Sequence, residues 1–290
     1  MSMTAQPRAG LEKARWSWFG VLRSEWGKLW TLRSTYIIIA VGAVFMIGLS
    51  FLIAMGISEG LRDSGGFSMV PGFGDIVSPV IAFISLQGVL LAQFATGVLG
   101  VLLVTGEYST GMIRSTLAAS PTRIPVLVTK AVVVFVAAVL AMVPVAIIGF
   151  LVAQGRYTEF GIEAALTDPG VPQIVVGTAL YTAAVAVIGT GLGWILRSAA
   201  GAIFALFILL MLLPLLLEFV DLDWVQTLTD YLPGAAGQAV YTPTEGFEIL
   251  PSDFEADNEG FGTWEGYAIM WGWVLAILAA GGWMLMRRDA

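Results

Sequence analysis

Six stretches of the chain stay apolar for long enough to cross a bilayer: Tyr36–Ile57, Val80–Val104, Ala131–Ala153, Ile174–Leu196, Ala199–Phe219 and Tyr267–Met286. A helix rising 1.5 Å per residue needs roughly 20 apolar residues to span about 30 Å of hydrocarbon. None of the six carries a charge in its interior; Glu218 sits at a predicted end, where it reaches the interface. One such run could be a buried core helix. Six of them, with no amphipathic helices left over to cover them, predict an all-α membrane protein with six transmembrane helices in one domain, 35–290.

The segment ahead of the first run has a different pattern. Over 12–34, Phe19, Leu22, Trp26 and Leu29 recur at helical spacing, while Arg15, Arg23 and Lys28 occupy other faces. Trp16, Trp18, Trp26 and Trp30 are interleaved with these charges. A secretory signal has a short basic region and then an unbroken apolar run, which this is not. The pattern predicts an amphipathic helix lying in the membrane interface, with lipid as its partner. Residues 1–11 read as a disordered tail.

Composition supports the membrane assignment. Of 290 residues 58% are hydrophobic and 12% charged, against roughly 25% charged in soluble domains. The mean hydropathy is +0.86. With no Cys and no His, the chain lacks thiolate metal sites, disulfides and the usual general base. No metal and no catalytic residue is expected.

Charge distribution orients the spans. Arg8, Lys13, Arg15, Arg23, Lys28 and Arg33 precede the first run; Arg114, Arg123 and Lys130 lie between the second and third; Arg197, Arg287 and Arg288 complete that side. Only Arg62 and Arg156 fall on the other, which holds all acidic residues except Glu12, Glu25, Glu107 and Asp289. Basic residues mark the cytoplasmic side, so both termini are expected in the cytoplasm. The opposite side is acidic, chiefly in segment 220–265, which has no Lys or Arg and is too long to be a plain connection. Its apolar portion Tyr231–Tyr241 predicts short helices dipping back toward the bilayer. The net charge of −7 would argue against nucleic acid if evenly spread, and it is instead divided by side; no nucleic-acid partner is expected.

Within the spans, small and polar residues mark helix packing, because lipid supplies no hydrophobic drive between helices. Gln93, Thr96, Gly97 and Gly100 share one face of the second run, and Thr178, Thr182, Ala186, Gly189 and Gly193 one face of the fourth. An alternative is that Gln87, Gln93 and Thr96 line a path. Pro144 and Pro214 are expected to kink spans three and five. The absence of charge within the spans argues against proton coupling through a titratable side chain and excludes a voltage sensor. The chain has no GxxxxGK[ST] loop, GxSxG or HExxH, so any work it performs draws on a partner's energy.

The loop 105–130 reads TGEYSTGMIRSTLAASPTRIPVLVTK. Met112–Ala119 has helical propensity and Pro121 ends it, which predicts a short helix at the foot of span two that a partner can grip.

Three stretches of sequence carry a resemblance. Arg23-Ser24-Glu25-Trp26-Gly27-Lys28-Leu29 with Leu32-Arg33-Ser34-Thr35, Gly106-Glu107-Tyr108-Ser109-Thr110-Gly111-Met112-Ile113-Arg114 with Pro121-Thr122-Arg123, and Tyr231-Leu232-Pro233-Gly234-Ala235-Ala236-Gly237-Gln238-Ala239 occur in that order. Together they resemble the permease subunit of bacterial ABC exporters of the ABC-2 type, particularly the actinobacterial kind. The resemblance implies a bacterial plasma-membrane protein that pairs with a second permease chain, identical or different. It implies two copies of a separate ATPase subunit that bind ATP and Mg, so that this chain is expected to bind neither and not to be an enzyme itself. It further implies a coupling helix seated on the ATPase through Gly106, Glu107, Tyr108, Thr110, Gly111, Met112 and Arg114. Beside it lies a connecting helix with Arg23, Glu25, Trp26 and Lys28. Spans two and five would face the path for a drug, lipid or peptide, bringing in Gln87, Gln93, Thr96, Phe204, Phe207 and Met211. Tyr231, Pro233, Gly237 and Gln238 would belong to an extracellular cap of re-entrant helices. Glu245–Glu265 extends beyond the simplest members' pattern. The other readings are a secondary transporter or channel, and a non-transporting scaffold or immunity subunit.

Overall fold

The computed structural model describes residues 18–63, 73–119, 123–160, 164–220, 222–243 and 261–287. The expected tail 1–11 lies outside them, as do Trp16, Pro121 and all of the acidic stretch Glu245–Glu265 up to residue 260. Every regular element among the described residues is helical. The order is α1 (Trp18–Thr31), α2 (Arg33–Asp63), α3 (Phe73–Ser85), α4 (Val89–Thr110), α5 (Met112–Ala119), α6 (Ile124–Tyr157) and α7 (Val171–Leu196). Then follow α8 (Ala199–Phe207), α9 (Leu213–Glu218), α10 (Asp223–Asp230), α11 (Pro233–Gln238) and α12 (Thr263–Arg287). Six helices are long and apolar enough to cross a membrane: Arg33–Gly60, Val89–Thr110, Ile124–Tyr157, Val171–Leu196, Ala199–Glu218 and Thr263–Arg287. They correspond in order to the six apolar runs.

The bundle is arranged around α7, which is buried continuously from Tyr181 to Gly191. A helix apolar on every side is a core helix, and α4, α6, α8 and α12 pack around it. Glycines set the closeness of the α4–α7 crossing. A Cβ at Gly100 would lie 1.8 Å from the Ala186 carbonyl oxygen, and one at Gly189 would lie 2.1 Å from that of Gly97. The polar face expected on span two is thus a packing face. Thr178, Thr182 and Thr190 of α7 return their hydroxyls to carbonyls of their own helix, so they bring little polarity into the bundle. The outer helices α2, α8–α9 and α12 expose broad apolar faces, including Val44, Leu52, Phe204, Leu216 and Leu275.

Two spans depart from the expected continuous helices. The second run, Val80–Val104, is broken: α3 ends at Ser85, three turn residues follow, and α4 begins at Val89 and runs on to Thr110. The break falls where a Cβ on Gly88 would come within 2.3 Å of the Met46 carbonyl oxygen of α2. Only a glycine lets the turn approach that closely. Span five carries a π-helical turn, Ile208–Leu212, closed by the Leu213 amide donating to the Ile208 carbonyl. Pro214 follows at once; having no N–H and clashing with the carbonyl four residues back, it makes a widened turn the better solution. Pro144, by contrast, lies within an unbroken α6.

Candidate functional site

At the basic end of the bundle, four charges from three helices meet. Glu25 and Lys28 stand three residues apart on one face of α1, Glu107 lies near the end of α4, and Lys130 lies near the start of α6. Lys130 is completely buried, Glu25 is 1% exposed and Glu107 7%. The Lys130 Nζ donates to Glu25 Oε2 at 2.5 Å and to Glu107 Oε1 at 2.8 Å. The Lys28 Nζ donates to Glu25 Oε1 at 2.7 Å, to Glu107 Oε1 at 2.9 Å and to Thr116 Oγ1 of α5 at 3.3 Å. Two carboxylates and two ammonium groups thus form a neutral cluster that joins α1, α4, α5 and α6. Glu107 Oε2 is buried with no hydrogen-bond partner.

Desolvation by burial lowers the Lys28 pKa, but the hydrogen bonds and charges of Glu25 and Glu107 outweigh it, and the net shift is upward. Buried ion pairs are worth keeping only where hydrogen bonds replace lost water. Here Lys28 meets three acceptors, as many as an ammonium can serve. The cluster holds α1 against the bundle together with buried Leu29.

The loop after Glu107 is shaped locally. Ser109 and Thr110 hydroxyls donate to the Gly106 carbonyl at 3.0 and 2.8 Å. Gly111 then takes φ +72°, ending α4, and α5 starts one residue later. A left-handed conformation at a helix end is the classical place for glycine. Gly106 has open space around its missing Cβ, so sterics do not demand glycine there. On α5, Ile113 is buried among Val104, Val126, Leu127, Trp194 and Leu285. Met112 and Arg114 point outward, both exposed. On α1, Arg23 is exposed and Trp26 half-buried, its ring 5.8 Å from that of Trp30.

A second contact lies beside the charges. The Tyr108 ring meets Trp194 edge to face at 5.9 Å, and the Arg197 guanidinium stands 5.0 Å from the Tyr108 ring centre. Arg197 ends α7 at φ +53°, the single non-glycine residue among those described with a positive φ. Arg123 donates to the Leu285 carbonyl at 2.7 Å, tying the start of α6 to the end of α12.

The expected path residues divide into two groups. Gln93 and Thr96 face the inside of this chain: Gln93 Oε1 accepts from the Tyr181 hydroxyl at 2.6 Å, its Nε2 donates to the Leu90 carbonyl, and Thr96 donates to the Gln93 carbonyl. Gln87 lies in the turn before α4, its amide 3.5 Å from the Phe83 carbonyl. Phe204, Phe207 and Met211 are exposed on span five, with Phe207 packed 5.8 Å from Phe94.

Two of the expected cap residues, Pro233 and Gly237, pack into the acidic end of the bundle. Pro233 opens α11 and is buried. A Cβ on Gly237 would come within 2.4 Å of Met270 Sδ and 2.9 Å of the Tyr181 ring. The Gln238 carbonyl accepts from the Tyr241 and Thr242 amides, and Tyr241 sits between Phe83 and Tyr181. Tyr231 is half exposed.

The sequence reading missed Lys130, Tyr181, Tyr241 and Arg197 as site residues. Lys130 is visible in sequence as a charge at the foot of an apolar run, but its partners lie 105 and 23 residues away. No family model matches the chain, and no curated protein matches it.

Proposed function

We propose that the chain is the permease subunit of an ATP-driven exporter of the ABC-2 kind, acting as a permease pair with two copies of a separate ATPase subunit. In this reading the protein is a multi-pass protein of the bacterial plasma membrane with both termini in the cytoplasm. The observation that carries it is the four-charge cluster that joins α1, α4, α5 and α6. It leaves the outward side chains of α5, Met112 and Arg114, free for a partner. A push on α5 cannot be taken up locally: Thr116 passes it to Lys28, and Lys130 and Glu107 pass it to spans three and two. Glu107 is then a positioning residue inside the lever, and Arg114 belongs to the surface that meets the ATPase. The exposed Phe204, Phe207 and Met211 suit a hydrophobic or amphipathic cargo at the permease pair's interface.

The test is affinity purification of the tagged chain from its own cells in mild detergent. A nucleotide-hydrolysing subunit is expected to copurify, and Arg114→Glu is expected to release it without shifting the thermal midpoint of the permease. A chain that carries no ATPase, or an Arg114→Glu variant that retains it fully, overturns the reading.

A further inference from the structure

Helix α10, between spans five and six, has three distinct sides. Trp224, Leu228 and Tyr231, spaced i, i+4 and i+7, share one side at 100° per residue, and they are 66%, 50% and 47% exposed. Val225 marks the adjoining side and is 2% exposed, and α10 packs against α9 and α11. Asp223, Gln226, Thr227 and Asp230 occupy the remaining arc. A helix lying free in water has no use for the first side, and a helix buried in the bundle would hide it.

Both ends fix its position. Four residues separate α10 from the end of span five at Glu218, and Phe219 there is exposed. At the other end, Trp273 Nε1 donates to the Tyr231 carbonyl at 2.8 Å, and the Tyr231 ring meets Phe261 at 4.7 Å. Trp273 stands ten residues into α12, and a helical side chain leans back toward the start of its helix. The end of α10 therefore leans on the flank of span six instead of sitting above it. Its neighbour α9 exposes Leu215 and Leu216 at the end of span five, and Phe219 just beyond is exposed too.

We propose that α10 is an interfacial helix whose Trp224–Leu228–Tyr231 side is covered by lipid of the leaflet on the acidic side, while its polar arc faces water. A tryptophan and a tyrosine beside an aliphatic residue suit headgroup depth, where rings have one apolar and one wet end. A second copy fits less well. The chain has no Lys or Arg between Arg197 and Arg287, so this region brings no cation to meet the Asp223 carboxylate of a second copy.

The absence of cysteine in the chain allows a direct test without any ATPase present, so its outcome is separate from the exporter reading. Single variants Trp224→Cys, Leu228→Cys, Gln226→Cys and Thr227→Cys are spin-labelled and reconstituted in phosphatidylethanolamine–phosphatidylglycerol vesicles. Oxygen and a water-soluble nickel chelate serve as relaxants. The expected result is a reversal: labels at 224 and 228 favour oxygen, and those at 226 and 227 favour nickel. Leu228→Cys decides alone if Trp224→Cys does not fold. Equal nickel access at 228 and 226 overturns the proposal in favour of a water-bathed lid. Shielding of 228 from both relaxants, with disulfide cross-linking between copies, overturns it in favour of a subunit contact.

Discussion

Lys130 shows at the residue scale why a charge beside an apolar run is kept. Its ammonium is wholly buried and bridges the carboxylates of Glu25 and Glu107. Removing one partner of a buried pair strands the other's charge and typically costs about 3–5 kcal/mol, whereas replacing a pair with apolar groups of similar volume is often neutral. Lys130→Ala is therefore expected to lower the unfolding midpoint in detergent sharply. A Lys130→Met change combined with Glu107→Gln is expected to recover part of the loss. A Lys130→Ala midpoint equal to wild type counts against the cluster. Tyr181 makes a smaller, neutral version of the argument. Its hydroxyl satisfies Gln93 Oε1 in the bundle interior, and an acceptor left unpaired there costs about 1–3 kcal/mol. Tyr181→Phe should show that loss in the same measurement, and Gln93→Leu combined with it should add little.

At the element scale, the link between α4 and α5 depends on a single backbone angle. Gly111 at φ +72° has open space around its missing Cβ, so a substitution there is penalised by conformation alone. Holding an alanine in the left-handed region costs roughly 1–2 kcal/mol, and the chain avoids that cost by extending α4 into α5. Gly111→Ala should therefore leave the bundle folded while shifting α5, read as faster hydrogen exchange over 112–119 with spans unchanged. The attachment of α1 has a pH signature. A lysine whose folded pKa is raised contributes stability that is fully present below its unfolded value and is lost as pH rises through the folded one. Lys28 is raised above its ordinary 10.5, so α1 should stay docked across neutral and mildly alkaline pH and loosen only beyond that value. Proteolysis of α1 that accelerated between pH 7 and 9 would contradict this.

For the whole molecule, the span count was readable because lipid demands about 20 apolar residues per crossing, and each run contributes one spanning helix, the second only from Val89 onward. Even Met112–Ala119 was visible, since its residues favour a helix and Pro121 follows. The break at Gly88 was not legible, because its cause is the backbone of Met46 across the bundle. Nor was the pairing of Glu25 with Lys130, which depends on how α1 folds back against α6. The same charges, sorted by side, lead to the last prediction. Twelve of the 14 basic residues lie on the side of both termini when six spans alternate, and such residues are retained in the cytoplasm. Glu25, Lys28, Glu107 and Lys130 come together at one end of the bundle, while the Arg62–Glu159 pair lies on the opposite side. Since the chain has no cysteine, Ser115→Cys on α5 and Thr227→Cys on α10 report the two sides separately. In intact cells a membrane-impermeant maleimide should label Thr227→Cys and leave Ser115→Cys untouched until the cells are opened. The reverse labelling would place α5 outside, beyond reach of any ATP-consuming partner, and the exporter reading would fall with the topology.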